Sequence, residues 1–238
     1  MRHSVLLGLL IALPLPALAG TFTPPKGCTA NLTVQSRGCI VSQFYTCEGD
    51  KTGDQWRADY DADGPFFLSK IDSDAQWLES YEFNPTTKEI MDPNPKDRAS
   101  FSELVEKGLD TFDFTLSKDN GDHSRITGFD KLTGATATID GMTLKQTEYE
   151  YTQTDDKGNV LRHSKGHEYI FESMRAFFSG HAEWEAEDGT WSSSDHAPVK
   201  FLTPGKPGFG ATVPLFECRD QMSQLVLPLM STKPPGGS

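Results

Sequence analysis

The sequence predicts a mainly β protein: a single antiparallel sheet, strongly curved or closed as a barrel, of about eight to eleven strands with one or two short helices. Three observations predict it. Four hairpin-type dipeptides punctuate the chain, Asp63-Gly64, Asn120-Gly121, Asp140-Gly141 and Asp188-Gly189, with Lys157-Gly158-Asn159 as a weaker fifth. Aspartate or asparagine followed by glycine tolerates the positive φ that tight hairpins need. Between these turns lie short segments rich in aromatic and β-branched residues, several alternating with period two. Tight hairpins make antiparallel neighbours rather than βαβ crossovers. A two-sheet sandwich is the alternative.

The elements follow in order. Residues 1–19 have the layout of a secretory signal peptide: basic Arg2, an apolar run from Val5 to Leu13, breaks at Pro14 and Pro16, and Ala17-Leu18-Ala19 before a cut at Gly20. The apolar run is too short to span a bilayer. Residues 20–27, with Pro24-Pro25, read as an extended lead-in, and residues 28–230 as one β-rich domain. Strand segments are expected at 39–47, 55–60, 66–71, 76–83, 112–116, 142–152, 167–171 and 183–187. In the second of these, Trp56, Ala58 and Tyr60 share one face, while Arg57, Asp59 and Asp61 share the other, expected to be wet. Segment 142–152 changes parity, with Met142 and Leu144 on one face and Tyr149 and Tyr151 on the other, so a bulge is expected near Gln146. Ser100-Phe101-Ser102-Glu103 resembles a capping box that opens a helix over 101–107, with Gly108 as its stop. A second short helix is expected at 221–227, and 231–238 reads as a disordered tail.

Charge and cysteines bound the function. The chain carries 34 acidic against 22 basic residues, a net charge of −12, and loss of Arg2 with the leader makes it −13. That argues against nucleic acid and anionic membrane surfaces as partners. No later apolar run is long enough to span a membrane, and no cysteine follows the cleavage site to take a lipid. Cys28, Cys39, Cys47 and Cys218 are an even set in an exported chain, which reads as two disulfides. No Cys-x-x-Cys pair supports a zinc ribbon or a redox site. If residues 39–47 are extended, Cys39 and Cys47 lie roughly 26 Å apart and cannot pair. Two pairings stay open: Cys28–Cys39 with Cys47–Cys218, the local choice, or Cys28–Cys47 with Cys39–Cys218. Either ties the C-terminal end to the first strands and closes a loop worth ~4–5 kcal/mol in the chain-entropy model.

Motifs that carry chemistry are few. Asp59, Asp61 and Asp63 with Gly64 reproduce the first half of a calcium loop, making them a weak calcium candidate. Lys70 stands where a bidentate glutamate belongs, and the flanks are strands, so Asp72 or Asp74 would have to complete the site. The wet face of a strand running into a turn explains the same residues and is preferred. His163 and His167 would pair on a helix, but on a strand they lie about 13 Å apart. A sheet could instead bring His181 beside His167. Nucleophile elbows and phosphate loops are absent, and Ser194-Asp195-His196 reads as a polar loop because triad members meet in space. No catalytic residue and no cofactor is assigned. Trp56, Trp77, Trp184, Trp191, Phe66-Phe67 and Phe177-Phe178 lie in or beside strands, where they build either a core or the wall of a ligand cavity.

Residues 38–48 (Gly-Cys-Ile-Val-Ser-Gln-Phe-Tyr-Thr-Cys-Glu), 53–57 (Gly-Asp-Gln-Trp-Arg), 77–81 (Trp-Leu-Glu-Ser-Tyr) and 203–209 (Thr-Pro-Gly-Lys-Pro-Gly-Phe) carry a likeness over most of the mature chain. It resembles a family of small exported alphaproteobacterial proteins with no assigned function, which implies a periplasmic location and no catalytic residue. At the level of fold, the curved-sheet pattern is similar to periplasmic lipoprotein carriers. The leading expectation is a periplasmic, non-enzymatic binding or accessory protein that holds an apolar small molecule or a protein partner on a curved sheet. The alternatives are an exported hydrolase using acids or a metal in a cleft, and a structural envelope component without a ligand. A hollow interior favours the carrier, and acids converging in one pocket favour the hydrolase.

Overall fold

The computed structural model describes residues 20–83, 86–186 and 188–218. The signal peptide, the second expected helix and the C-terminal tail lie outside these residues. The chain forms β1 (Cys28–Ser36), β2 (Ile40–Cys47), β3 (Gln55–Tyr60), β4 (Pro65–Ile71), β5 (Trp77–Phe83) and β6 (Thr86–Met91), then α1 (Phe101–Lys107). There follow β7 (Leu109–Lys118), β8 (His123–Ile139), β9 (Met142–Asp155), β10 (Val160–Phe171), β11 (Ala176–Glu185), β12 (Trp191–Asp195) and β13 (Pro198–Leu202).

All thirteen strands join one antiparallel sheet in the order β12-β11-β10-β9-β8-β7-β6-β5-β4-β3-β2-β1-β13. This is the expected single curved sheet, with more strands than the eight to eleven anticipated, and it is neither closed as a barrel nor split into a sandwich. Some of the strands outside the expected segments are polar, such as β6 (Thr-Thr-Lys-Glu-Ile-Met) and the threonine-rich second half of β8, while β1 and β13 bring Leu32, Val34 and Phe201 to the core. Neighbours in sequence are neighbours in the sheet until the end. There the chain crosses from the β12 edge through His196-Ala197 to pair β13 with β1 on the opposite edge. Two consecutive strands at opposite edges force the sheet to roll up. Every expected Gly turn is a hairpin, and Asp140 (φ 49°) with Gly141 (φ 80°) supplies two successive positive φ values.

Local chemistry sets the one helix among the described residues. The Ser100 side chain caps α1 by accepting from the Glu103 N–H at 3.1 Å, and Gly108, with φ 79°, donates to the Leu104 carbonyl at 2.9 Å. Phe101 and Leu104 are buried against Ile170, with Leu132 and Phe177 beside them. The expected bulge near Gln146 is realised on the neighbouring strand. Leu132 pairs with Thr147 and Thr136 with Lys145, so residues 133–135 of β8 stand opposite Gln146 alone. β9 uses both faces: Leu144 joins the core of Leu32, Val34, Phe178 and Phe201, while Tyr151 packs with Phe114, Leu116 and Ile126.

The convex side of β1 and β2 is covered by the last described segment. Buried Gln43 donates to the Ala211 carbonyl at 2.7 Å, Gln35 donates to the Val213 carbonyl at 3.1 Å, and Thr33 accepts from the Gly210 N–H at 2.8 Å. The strap ends in the disulfide Cys39–Cys218, and a second bridge joins Cys28 to Cys47. Of the two pairings left open, the hairpin register selects this one, because it sets Cys28 directly opposite Cys47 and leaves Cys39 in the turn.

Both faces of β3 are covered, where only the apolar one was expected to be. Phe22 lies 5.4 Å from Tyr45 and 6.4 Å from Tyr60, and Tyr45 stacks on Trp56 at 6.1 Å, so this apolar face is packed on the convex side. Arg57 and Asp59, expected in solvent, point into the concave side, and Asp59 is only 6% exposed.

Candidate functional site

The concave side is hollow. Two adjoining lobes of about 240 Å³ each lie between β2–β4 and β11, and share Phe44, Arg57, Phe67 and Phe177 as walls. The first is closed by Ile71, Trp77 and Ala176, with Ser69 and Gln55 as its polar margin. The second runs past Asp59 and Ser179 to His196. Together they reach the range of about 300–1,000 Å³ typical of small-molecule sites. Period-two alternation explains the lining: Gln55, Arg57 and Asp59 of β3, and Phe67, Ser69 and Ile71 of β4, are the inward residues of two paired strands.

Arg57 is the central polar group. Its Nε lies 3.1 Å from Asp59 Oδ2, an ion pair without hydrogen-bond alignment, and its guanidinium lies 5.7 Å from the centre of the Phe67 ring. The Trp77 indole N–H is buried in the wall without a hydrogen-bond partner. Gln55 is anchored by donation to the Met174 carbonyl at 2.7 Å, which fixes the β10–β11 hairpin tip across the first lobe.

Beyond Phe177 a smaller chamber of about 170 Å³ lies under α1, bordered by Asp74, Asp110, Asp130 and Glu168. Asp110 of β7 and Asp130 of β8 are direct cross-strand partners, a like-charge pairing that strands normally avoid. Burial pushes the Asp110 carboxyl up to about 6, helped by Glu103, Asp97 and Asp74. Burial raises the Asp130 pKa well above its ordinary value, with Glu168 and Asp110 adding to it. Burial also lifts Glu168 to about 7, against the pull of Arg57.

A folded pKa above the unfolded one means that stability is fully present below the unfolded value and is lost as pH rises through the folded one. Asp110 therefore weakens the fold between about pH 4 and 6. Replacing it with asparagine keeps an acceptor for the Ser100 N–H, now 2.9 Å from Asp110 Oδ2. Asp110→Asn is expected to stabilise the protein by on the order of 2 kcal/mol at pH 8 and to be nearly neutral at pH 4. Urea unfolding at the two pH values checks this, and a destabilised variant at pH 8 contradicts it.

The residues singled out in the sequence go to separate places. Asp59 faces the second lobe, Asp61 accepts from the Asp63 and Gly64 N–H groups at 2.8 and 3.1 Å to fasten the turn, and Asp63 is exposed. His163 lies between Glu150 at 2.8 Å and Glu185 at 3.1 Å, whose bonds raise its pKa. His167 and His181 meet only at a β10–β11 bulge, where Gly166 pairs with Ala182 and Glu168 with Ser179. Among the described residues no three His, Cys, Asp or Glu side chains are grouped to hold a metal ion. Asp195 accepts from the Ala197 N–H at 2.9 Å, so Ser194-Asp195-His196 is the polar corner between β12 and β13. Of the aromatics, Trp56, Phe67, Trp77 and Phe177 line the first lobe and Phe66, Phe67, Phe177 and Phe178 the second, while Trp191 is 41% exposed on the outside, 5.1 Å from His163.

Sequence reasoning missed Arg57 as an interior group, and missed Asp110, Asp130 and Glu168. No strand pattern marked Glu168, whose face also carries Arg162, Ser164 and Gly166. Comparison with protein-family models, with curated proteins and with solved structures finds no match.

Proposed function

We propose that this chain is an exported, non-enzymatic binding protein that carries a mainly apolar small molecule in the concave cavity of its curved sheet. The observation that carries this reading is the hollow, aromatic-walled interior around Phe177. The lobes are partly open to solvent, and a sheet that only needed to fold gains nothing from leaving such an aromatic-walled cleft uncovered. Two disulfides suit an oxidising, extracytoplasmic compartment such as the periplasm. Among the described residues no helix is long and apolar enough to cross a membrane.

Native mass spectrometry of protein purified without detergent tests the proposal. A bound small molecule, lost on organic extraction and absent from Ser69→Phe, is expected. The added ring fills the first lobe and costs about 1–3 kcal/mol of overpacking, so folding is checked in parallel by circular dichroism. Wild-type protein that neither retains nor takes up any apolar molecule overturns the reading.

The acid chamber favours a second reading, an exported hydrolase in which two carboxyls with raised pKa values serve as acid and base. Its volume of about 170 Å³ is below that of ordinary substrate sites, and Asp110 is already engaged by the Ser100 N–H. Glycoside and ester turnover that disappears in Glu168→Gln would establish it in place of the carrier.

A further inference from the structure

We propose, building on the carrier reading, that the ligand bears an anionic oxygen-acid head on an apolar body and that Arg57 is the residue that binds the head. Charge in the cavity is distributed unequally. Arg57 is the one charged side chain bordering the first lobe, and the other walls are aromatic, aliphatic or neutral polar. The first lobe is therefore mainly apolar with one cation at its rim, which Asp59 pairs from the side of the second lobe, and an anionic head is the complement of the guanidinium edge that Asp59 does not cover.

The hydrogen bonding of Arg57 points the same way. A guanidinium offers five N–H donors, and a buried donor left unpaired costs about 1–3 kcal/mol. Arg57 forms an ion pair with Asp59 at 3.1 Å, lies over the face of Phe67 and pulls electrostatically on Glu168, and its buried Nε has no hydrogen-bond partner among the described residues. Its side chain keeps 31% of its surface free, in contact with both lobes. Asp59 restrains the stem on the side of the second lobe, and Phe67 backs the guanidinium plane. That arrangement leaves the forked end for a carboxylate-like group, which it can grip bidentately. The apolar body then lies between Phe44, Trp77 and Phe177.

Three eight-carbon probes that share a tail separate head from body: octanoate, octanol and octylammonium, titrated by calorimetry at pH 8. Octanoate is expected to bind at least tenfold more tightly than octanol, with octylammonium weakest. Arg57→Gln is expected to bring octanoate and octanol to within about threefold of one another, and Arg57→Lys to keep part of the preference. The Arg57→Gln, Asp59→Asn double variant repeats the comparison without an unpaired Asp59, should the single variant fold poorly. Equal binding of octanoate and octanol by the wild type, or a preference that survives Arg57→Gln, overturns the head-group assignment and leaves the cavity reading standing. Failure of both octanoate and octanol to bind overturns the cavity reading, and this inference with it.

Discussion

Replacing Cys39 and Cys218 together with serine is expected to destabilise the protein by about 5 kcal/mol, the larger of the two disulfide effects. The bridge spans a sequence separation of 179 and ties the end of the strap to the β1–β2 turn. Cutting it restores the entropy of the longest loop in the fold to the unfolded chain. It also loosens the strap that satisfies Gln35 and Gln43, both fully buried. Stranding either side chain would add about 1–3 kcal/mol. The matching Cys28→Ser, Cys47→Ser variant opens a separation of only 19, within a hairpin the sheet already holds, and is expected to cost about 3 kcal/mol. Urea unfolding of both pairs checks the order, and a larger loss from the Cys28–Cys47 pair contradicts the account. Against a typical total of about 5–15 kcal/mol, the first variant stands near the limit of folding.

Asp74→Ala is expected to cost about 3 kcal/mol at pH 7. Asp74 lies beside the N-terminus of α1 and accepts from the Ser100 hydroxyl at 2.6 Å, the Ser102 N–H at 2.9 Å and the Ser102 hydroxyl at 2.7 Å. Arg175, from the β10–β11 hairpin, donates to it as well. Burial works against its ionisation, but these bonds and the Arg175 charge hold its pKa below the usual range. A depressed pKa gives stability that is present above the unfolded value and lost as pH falls through the folded one. The difference between wild type and variant is therefore expected to shrink below about pH 4. Thermal melts at pH 7 and pH 3 read this directly, and a difference that is unchanged at pH 3 contradicts it. Because Asp74 joins the hairpin that carries Phe177 to the loop before α1, its removal is also expected to weaken retention of a cavity ligand.

What was legible in the sequence was what local chemistry dictates. The Asp-Gly and Asn-Gly turns, the capping box at Ser100 and the stop at Gly108 each need only neighbouring residues, and each formed where it was read. Polar strands such as β6 escaped notice because strand signals rest on apolar and β-branched residues. The face of β3 that carries Arg57 and Asp59 was misread as wet because alternation shows that two faces differ, while the curl of the sheet decides whether both are covered. The cavity was illegible for a related reason. Phe67, Trp77 and Phe177 have the composition of a packed core, and whether space remains between them depends on how tightly thirteen strands curl. Asp110 and Asp130 lie twenty residues apart in sequence, and their pairing depends on the β7–β8 register.

The central claim is that the concave cavity is a ligand site, and backbone amide chemical-shift mapping with octanoate tests it most directly. Saturable shifts grouped on Phe44, Arg57, Phe67, Trp77 and Phe177, and absent from Ser69→Phe, are the predicted result. Shifts scattered over the convex strands, or identical in Ser69→Phe, would contradict it.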